Sequence, residues 1–125
     1  MLSSLSLLAS AFLSLTHAKC FHMNGSETLD PGHQRCSLDP LSPIYNVCCA
    51  VSRTNPPGAN LSLGWASDIC LPNGICQNKF FNESGPFTKY FREECTESDW
   101  STGNCPNFCV QGVCYVQWRG GFGAY

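Results

Sequence analysis

Charge is scarce in this chain. Only 13% of its 125 residues are Asp, Glu, Lys or Arg, and nine acidic side chains outnumber seven basic ones for a formal net charge of -2. A nucleic-acid partner needs a basic patch to neutralise phosphates, so none is expected. A membrane-lytic toxin wants a cationic amphipathic face, and the same balance speaks against it. Long apolar runs are scarce as well. After the first 18 residues no stretch reaches the length of a membrane-spanning helix, and no hydrophobic C-terminal run suggests a lipid-anchor signal. Aliphatic side chains are few: beyond Ala18, Leu, Ile, Val and Phe together number 21 of 107 residues, a thin supply for a core. The familiar catalytic signatures are missing, with no G-x-S-x-G elbow and no H-E-x-x-H pair. No C-x2-C occurs either, and the closest cysteine pair besides a doublet is Cys105-x3-Cys109, so structural zinc is not expected. No enzyme activity, catalytic residue, metal site or cofactor is predicted.

What the chain does contain is cysteine. Its ten residues are Cys20, Cys36, Cys48, Cys49, Cys70, Cys76, Cys95, Cys105, Cys109 and Cys114. That density after residue 18 marks a disulfide scaffold in which cross-links supply what the thin core lacks. An even count predicts five bridges and no free thiol, with the pairing open. Adjacent cysteines rarely meet the separation a bridge requires, so Cys48 and Cys49 are expected to take different partners.

Residues 1–18 read as a secretory signal peptide. An apolar stretch from Leu5 to Leu15 precedes small residues, Thr16 and Ala18, at the positions a signal peptidase reads. Lys19 is the expected mature N-terminus, followed by a cysteine-rich extracellular domain over 19–119 and a flexible glycine-rich tail over 120–125. Turn residues are dense at 30–32, 55–58, 72–74 and 84–86. Short strands are expected over 87–91 and 113–118, about two helical turns over 43–51, and an exposed cysteine-free loop over 52–67. Asn73-Gly74 lies between Cys70 and Cys76 and predicts a tight turn held by bridges at both ends. The expected fold is small and disulfide-rich, with short β-strands and loops and at most one or two short helices.

Three sequons, Asn24-Gly-Ser, Asn60-Leu-Ser and Asn82-Glu-Ser, are N-glycosylation candidates. Fourteen aromatics follow residue 18. Most are expected to pack against bridges, Trp100 among them, because it lies near four cysteines. Trp65 in the cysteine-free loop and Trp118 beside the tail are the candidate ligand contacts, since flat aromatic faces stack on sugars or anchor protein interfaces. His22 reads as an ordinary surface histidine. Glu94 and Asp99 are carboxylates whose separation the sequence leaves open.

The order of these features resembles a group of small secreted or surface cysteine-rich proteins of filamentous ascomycete fungi. The matching pieces run from Cys20-Phe21 with Gly25, through Cys36, the Cys48-Cys49 doublet and Cys70-Leu-Pro-Asn-Gly-Ile-Cys76. They end with Arg92, Cys95-Thr96, Trp100 and Cys105-Pro-Asn-Phe-Cys109. The resemblance implies an extracellular domain and brings no particular activity with it. Many members continue into a transmembrane helix, whereas this chain stops at Tyr125. Arg35 stands where the group usually has Pro before its second cysteine. The six cysteines from Cys20 to Cys76 also follow the order found in knottins, but with much longer gaps. The expected function is a secreted or wall-associated binding module, its partner an extracellular protein or a cell-wall polysaccharide. The alternative is an effector, toxin or enzyme inhibitor acting on another organism.

Overall fold

The computed structural model describes residues 18–107 and the backbone of two further strands, 115–118 and 121–124. Residues 1–17 of the expected signal segment, and Cys109 and Cys114, lie outside the described residues. Within them the fold is small and disulfide-rich, built of short strands and loops with two 3-10 turns, Leu61–Leu63 and Trp100–Thr102. No helix among the described residues is long and apolar enough to cross a membrane.

The first sheet orders β1 (Gln34–Arg35), β2 (Val47–Cys49) and β6 (Glu94–Cys95) antiparallel, with β2 central. The second orders β3 (Asp68–Cys70), β4 (Cys76–Asn82) and β5 (Gly85–Phe91), again antiparallel. A hairpin of β7 (Tyr115–Trp118) and β8 (Gly121–Ala124) completes the set. The strand expected over 87–91 lies inside β5, and that expected over 113–118 contains β7. The segment expected as a flexible tail holds β8, because cross-strand pairing with β7 outweighs the poor strand propensity of its glycines.

The cysteine doublet explains how the sheets are joined. Successive side chains on a strand point to opposite faces. Cys48 and Cys49, neighbours on β2, therefore point to opposite faces and reach different segments: Cys48 bonds Cys20 and Cys49 bonds Cys76. One face of β2 is stapled to the N-terminal strap and the other to β4. Cys36–Cys70 is a second link between the sheets, and Cys95–Cys105 ties the segment after β6. No described cysteine is free. Closing loops of 28, 34, 27 and 10 residues is worth about 2.7–3.8 kcal/mol per bridge in the chain-entropy picture, and less in sum because the loops overlap.

Sulfur also fills the interior. Cys20, Cys48, Cys49, Cys76 and Cys95 are each at most 2% exposed. Val47, Cys49 and Cys76 form the central cluster, with Ile44, Val51, Phe91 and the Cys36 and Cys70 sulfurs packed around it. A bridged cysteine packs as a compact apolar group, which is how so few aliphatics suffice.

The helix expected over 43–51 is absent. Tyr45 donates to the Ser42 carbonyl and Val47 to that of Ile44, so the chain makes single turns and then extends into β2. Two bridges and two strand neighbours at Val47–Cys49 override a short local helical pattern. The Cys70–Cys76 turn forms as expected. Cys70 and Cys76 face each other across β3 and β4, Leu71 pairs with Ile75, and Gly74 takes φ 87°, which its missing Cβ allows. The bridges Cys36–Cys70 and Cys49–Cys76 clamp its two ends.

Candidate functional site

A groove of about 910 Å³ opens on one side of the molecule. Residues 27–34 form one wall, residues 52–55 and 63–65 form the other, and residues 18–20 close one end. Neither wall contains a cysteine, so polar contacts must hold both in place.

The second wall hangs on Asn55. Its side chain is buried, and its Nδ2 donates to the carbonyls of Asn60 (3.0 Å) and Gly64 (2.8 Å). Ser67 N–H returns to the Asn55 carbonyl at 2.7 Å, and the Ser67 hydroxyl donates to that of Arg53 at 2.7 Å. The 52–67 segment is thus not uniformly exposed as expected: Asn55, Ala66 and Ser67 are buried and pin a loop whose middle is solvated. Arg53 crosses the groove floor, donating to the Ala66 carbonyl (3.2 Å) and to Asp30 Oδ2 (3.4 Å). Gly32 packs closely beneath it: a Cβ there would stand 2.9 Å from Arg53 Cγ and 3.0 Å from Asp30 Oδ1, so a larger residue would push both side chains aside.

The first wall is held by His33. Its ring is 11% exposed, with Nδ1 3.2 Å from Asp30 Oδ2 and Nε2 3.0 Å from Glu93 Oε2. Glu94, also buried, lies 3.9 Å from Nε2 and 3.4 Å from His22 Nδ1. Behind Glu93, the Ala50 N–H donates to both Glu93 Oε2 (3.2 Å) and Asp68 Oδ2 (2.9 Å), and Asn78 Nδ2 donates to Asp68 Oδ1 (2.7 Å). Burial opposes a charge on His33, but the Glu93 hydrogen bond and the fields of Glu93, Glu94 and Asp30 outweigh it and raise its pKa. Burial pushes the Glu93 carboxyl up, reinforced by nearby Asp68 and only partly offset by His33. Burial likewise raises Glu94. Asp30 is lowered, chiefly by the Gly32 N–H it accepts at 2.8 Å, with help from His33 and Arg53.

Trp65 stands on the rim, 58% exposed. Its indole meets Phe80 edge-on, with centroids 6.3 Å apart, and Phe80 stacks on Phe87 at 5.6 Å. The second sheet therefore braces one edge of the ring. Leu29 and Leu63 are exposed beside the groove at 94% and 75%. Trp118 lies on β7, and its side chain lies outside the described residues. Trp100, expected in the core, is half-buried, and the Arg92 guanidinium lies over its ring at 5.5 Å. Glu94 and Asp99 have unrelated roles: Glu94 is buried, whereas Asp99 is exposed and caps Trp100–Thr102 by accepting from Ser101 N–H at 2.9 Å.

Two groups of metal-ligand types gather among the described residues, Cys36–Cys49–Cys70 and Asp68–Cys76–Glu93. Every cysteine in them is bridged and offers no thiolate, which leaves one carboxylate pair. Asn24 and Asn60 are exposed and Asn82 is partly exposed. Sequence reasoning located Trp65 but missed Asn55, Arg53, His33 and Glu93; the pairings Arg53–Asp30 and His33–Glu93 join distant parts of the chain and leave no local spacing to read.

Comparison with protein-family models, curated proteins and solved structures finds no match to this chain.

Proposed function

We propose that this protein is a non-catalytic extracellular binding module whose groove holds a neutral, sugar-rich ligand against Trp65. One observation carries the reading: a half-exposed tryptophan, braced from behind by Phe80, stands over a groove whose charges are already matched. Asp30 meets Arg53 and His33, His33 meets Glu93, and Lys19 lies 3.5 Å from Glu27. A groove whose charged side chains are paired favours a ligand that carries little charge, and an aromatic platform with polar neighbours suits a sugar ring. Walls braced by internal hydrogen bonds lose little freedom when the ligand arrives. Binding is the simpler reading of the site: Nε2 of His33 is held by Glu93 at 3.0 Å, and Nδ1 lies 3.2 Å from Asp30 Oδ2 without making a hydrogen bond. Secretion is supported by the cystines and the apolar N-terminal segment. The likeness to fungal surface proteins supplies a wall polysaccharide as the natural candidate.

The test is co-sedimentation of purified secreted protein with insoluble chitin, β-glucan and cellulose, alongside Trp65→Ala. The expected result is pelleting with one polymer, and loss of pelleting in the variant with the melting temperature kept. Protein that stays in solution with all three overturns the glycan reading. Leu29 and Leu63, exposed apolar side chains at the rim, favour a protein partner as the second reading, that of a secreted effector or inhibitor.

A further inference from the structure

The asparagines of this fold divide by which amide atom they use. Asn55 and Asn78 are buried and each donates twice through Nδ2. Asn104 donates from Nδ2 to Glu97 at 2.9 Å. The three sequon asparagines do the reverse, as does Asn73 outside any sequon. Asn24, Asn60 and Asn82 each turn Oδ1 back to accept the backbone N–H of the serine two residues on, at 2.9, 2.9 and 2.8 Å. That turn fixes the amide plane with the oxygen inward. Among the described residues no acceptor meets Nδ2 of any of the three.

Their positions are uneven. Asn60 bridges the backbone of Phe81, and Phe81 N–H donates to the Ala59 carbonyl at 2.9 Å. Asn82 is the next residue, at the tip of the β4–β5 hairpin. Two sequon side-chain nitrogens therefore share one end of the molecule, beside the exposed side chain of Phe81 and away from the groove lining. Asn24 lies apart, next to Gly25, whose backbone packs near the Ser98 carbonyl of the other half. None of the three lines the groove.

From this we infer that Asn24, Asn60 and Asn82 carry N-linked glycans, that those on Asn60 and Asn82 form an adjacent pair shielding the hairpin end, and that the groove is left as the bare face. The inference rests on the secretory route proposed above. In each transfer Nδ2 displaces the pyrophosphate from the anomeric carbon of a lipid-linked oligosaccharide. One C–N bond forms as one C–O bond breaks, and the amide gives up a proton to the transferase. Solvent-facing nitrogens let the folded product keep the sugar without burying it, and the paired glycans cover apolar surface that is otherwise exposed.

The full chain secreted from a eukaryotic host tests this by intact mass before and after peptide N-glycosidase treatment. Ser26→Ala, Ser62→Ala and Ser84→Ala serve as variants, because each removes the sequon hydroxyl and keeps the backbone N–H that makes the turn. Three glycan mass steps are expected, with one fewer in each variant. Oxidation of Trp65 by N-bromosuccinimide, followed by peptide mass, is expected to run at the same rate with and without glycans. Secreted protein lacking sugar on Asn60 or Asn82 overturns the paired shield, and glycan protection of Trp65 overturns the bare groove. Retention in the cytosol overturns the route and the glycans together. Failure to pellet with any polysaccharide overturns the groove's ligand and leaves the glycan assignment standing.

Discussion

Two regions of this molecule are rigid for opposite reasons. Around β2, covalent bonds set the geometry: Cys48 and Cys49 reach the strap and the second sheet, and the interior is largely sulfur. Around the groove, no bridge crosses either wall, and Asn55, Arg53 and His33 hold the chain through hydrogen bonds and charge pairs. Cross-links constrain the unfolded chain whatever the solvent does, while polar networks depend on every partner and on protonation. The protein places its adaptable chemistry in the second kind of region and anchors it to the first.

The largest expected effect comes from the covalent side. Replacing Cys49 and Cys76 together by Ala removes a buried link between the sheets and is expected to cost at least about 3 kcal/mol in denaturant unfolding. The Cys95/Cys105 double replacement opens a loop of only 10 residues and should cost less. Equal losses from the two would deny β2 its central place.

Next comes Asn55→Ala, which leaves the Gly64 carbonyl without its side-chain donor and the Asn60 carbonyl with only the Leu63 N–H, and should cost about 1–3 kcal/mol. The signature that separates the regions is location. Hydrogen exchange should quicken over residues 55–67 while β4 stays protected. Uniform loss of protection would show that the groove wall and the core unfold as one.

The pH response is the third discriminator. His33 has a raised folded-state pKa, so its contribution is complete below the ordinary value of 6.5 and is lost as pH rises through the folded value. Glu93 and Glu94 are also raised, so they too bind protons more tightly when folded, and their contribution fades as pH rises above 4.5 through their folded values. Asp30 is lowered and acts in reverse, losing its contribution as pH falls below 3.8. Stability should therefore peak at mildly acidic pH and decline toward pH 8 in thermal melts. His33→Gln should flatten the upper part of that decline; an unchanged slope would remove His33 from the account.

The smallest effect on folding and the largest on ligand retention belong together in Trp65→Ala. Losing one edge-on ring contact should cost about 0.5–1.5 kcal/mol. A much larger loss of stability would make Trp65 a core residue instead of a platform.

The covalent region was legible in the sequence and the polar region was not. Adjacent cysteines rarely meet the separation a bridge requires, and Pro-Asn-Gly between two cysteines favours a turn, so the different partners of Cys48 and Cys49 and the 70–76 turn were legible, while the pairing itself was open. The strand at 87–91 shows in its aromatic and β-branched content. Residues 43–51 misled because a helical period there yields to the two bridges that start at Cys48 and Cys49. His33 and Glu93 are 60 residues apart, and their meeting depends on β1 and β6 both flanking β2. Trp65 was legible because a tryptophan in a cysteine-free loop has few ways to be buried. The brace from Phe80 behind it depends on tertiary packing alone.

The doublet has a consequence for how the molecule carries load. From Cys20 to Cys76 the shortest covalent route runs through one bridge, a single peptide unit and a second bridge. Tension applied between those two points passes along that route, and the strand ladders beside it bear almost none. Pulling can strip the hydrogen bonds of both sheets and still leave the strap and β4 within a few bond lengths of β2, so a molecule tethered at its N-terminal end resists stretching by its sulfur bonds first.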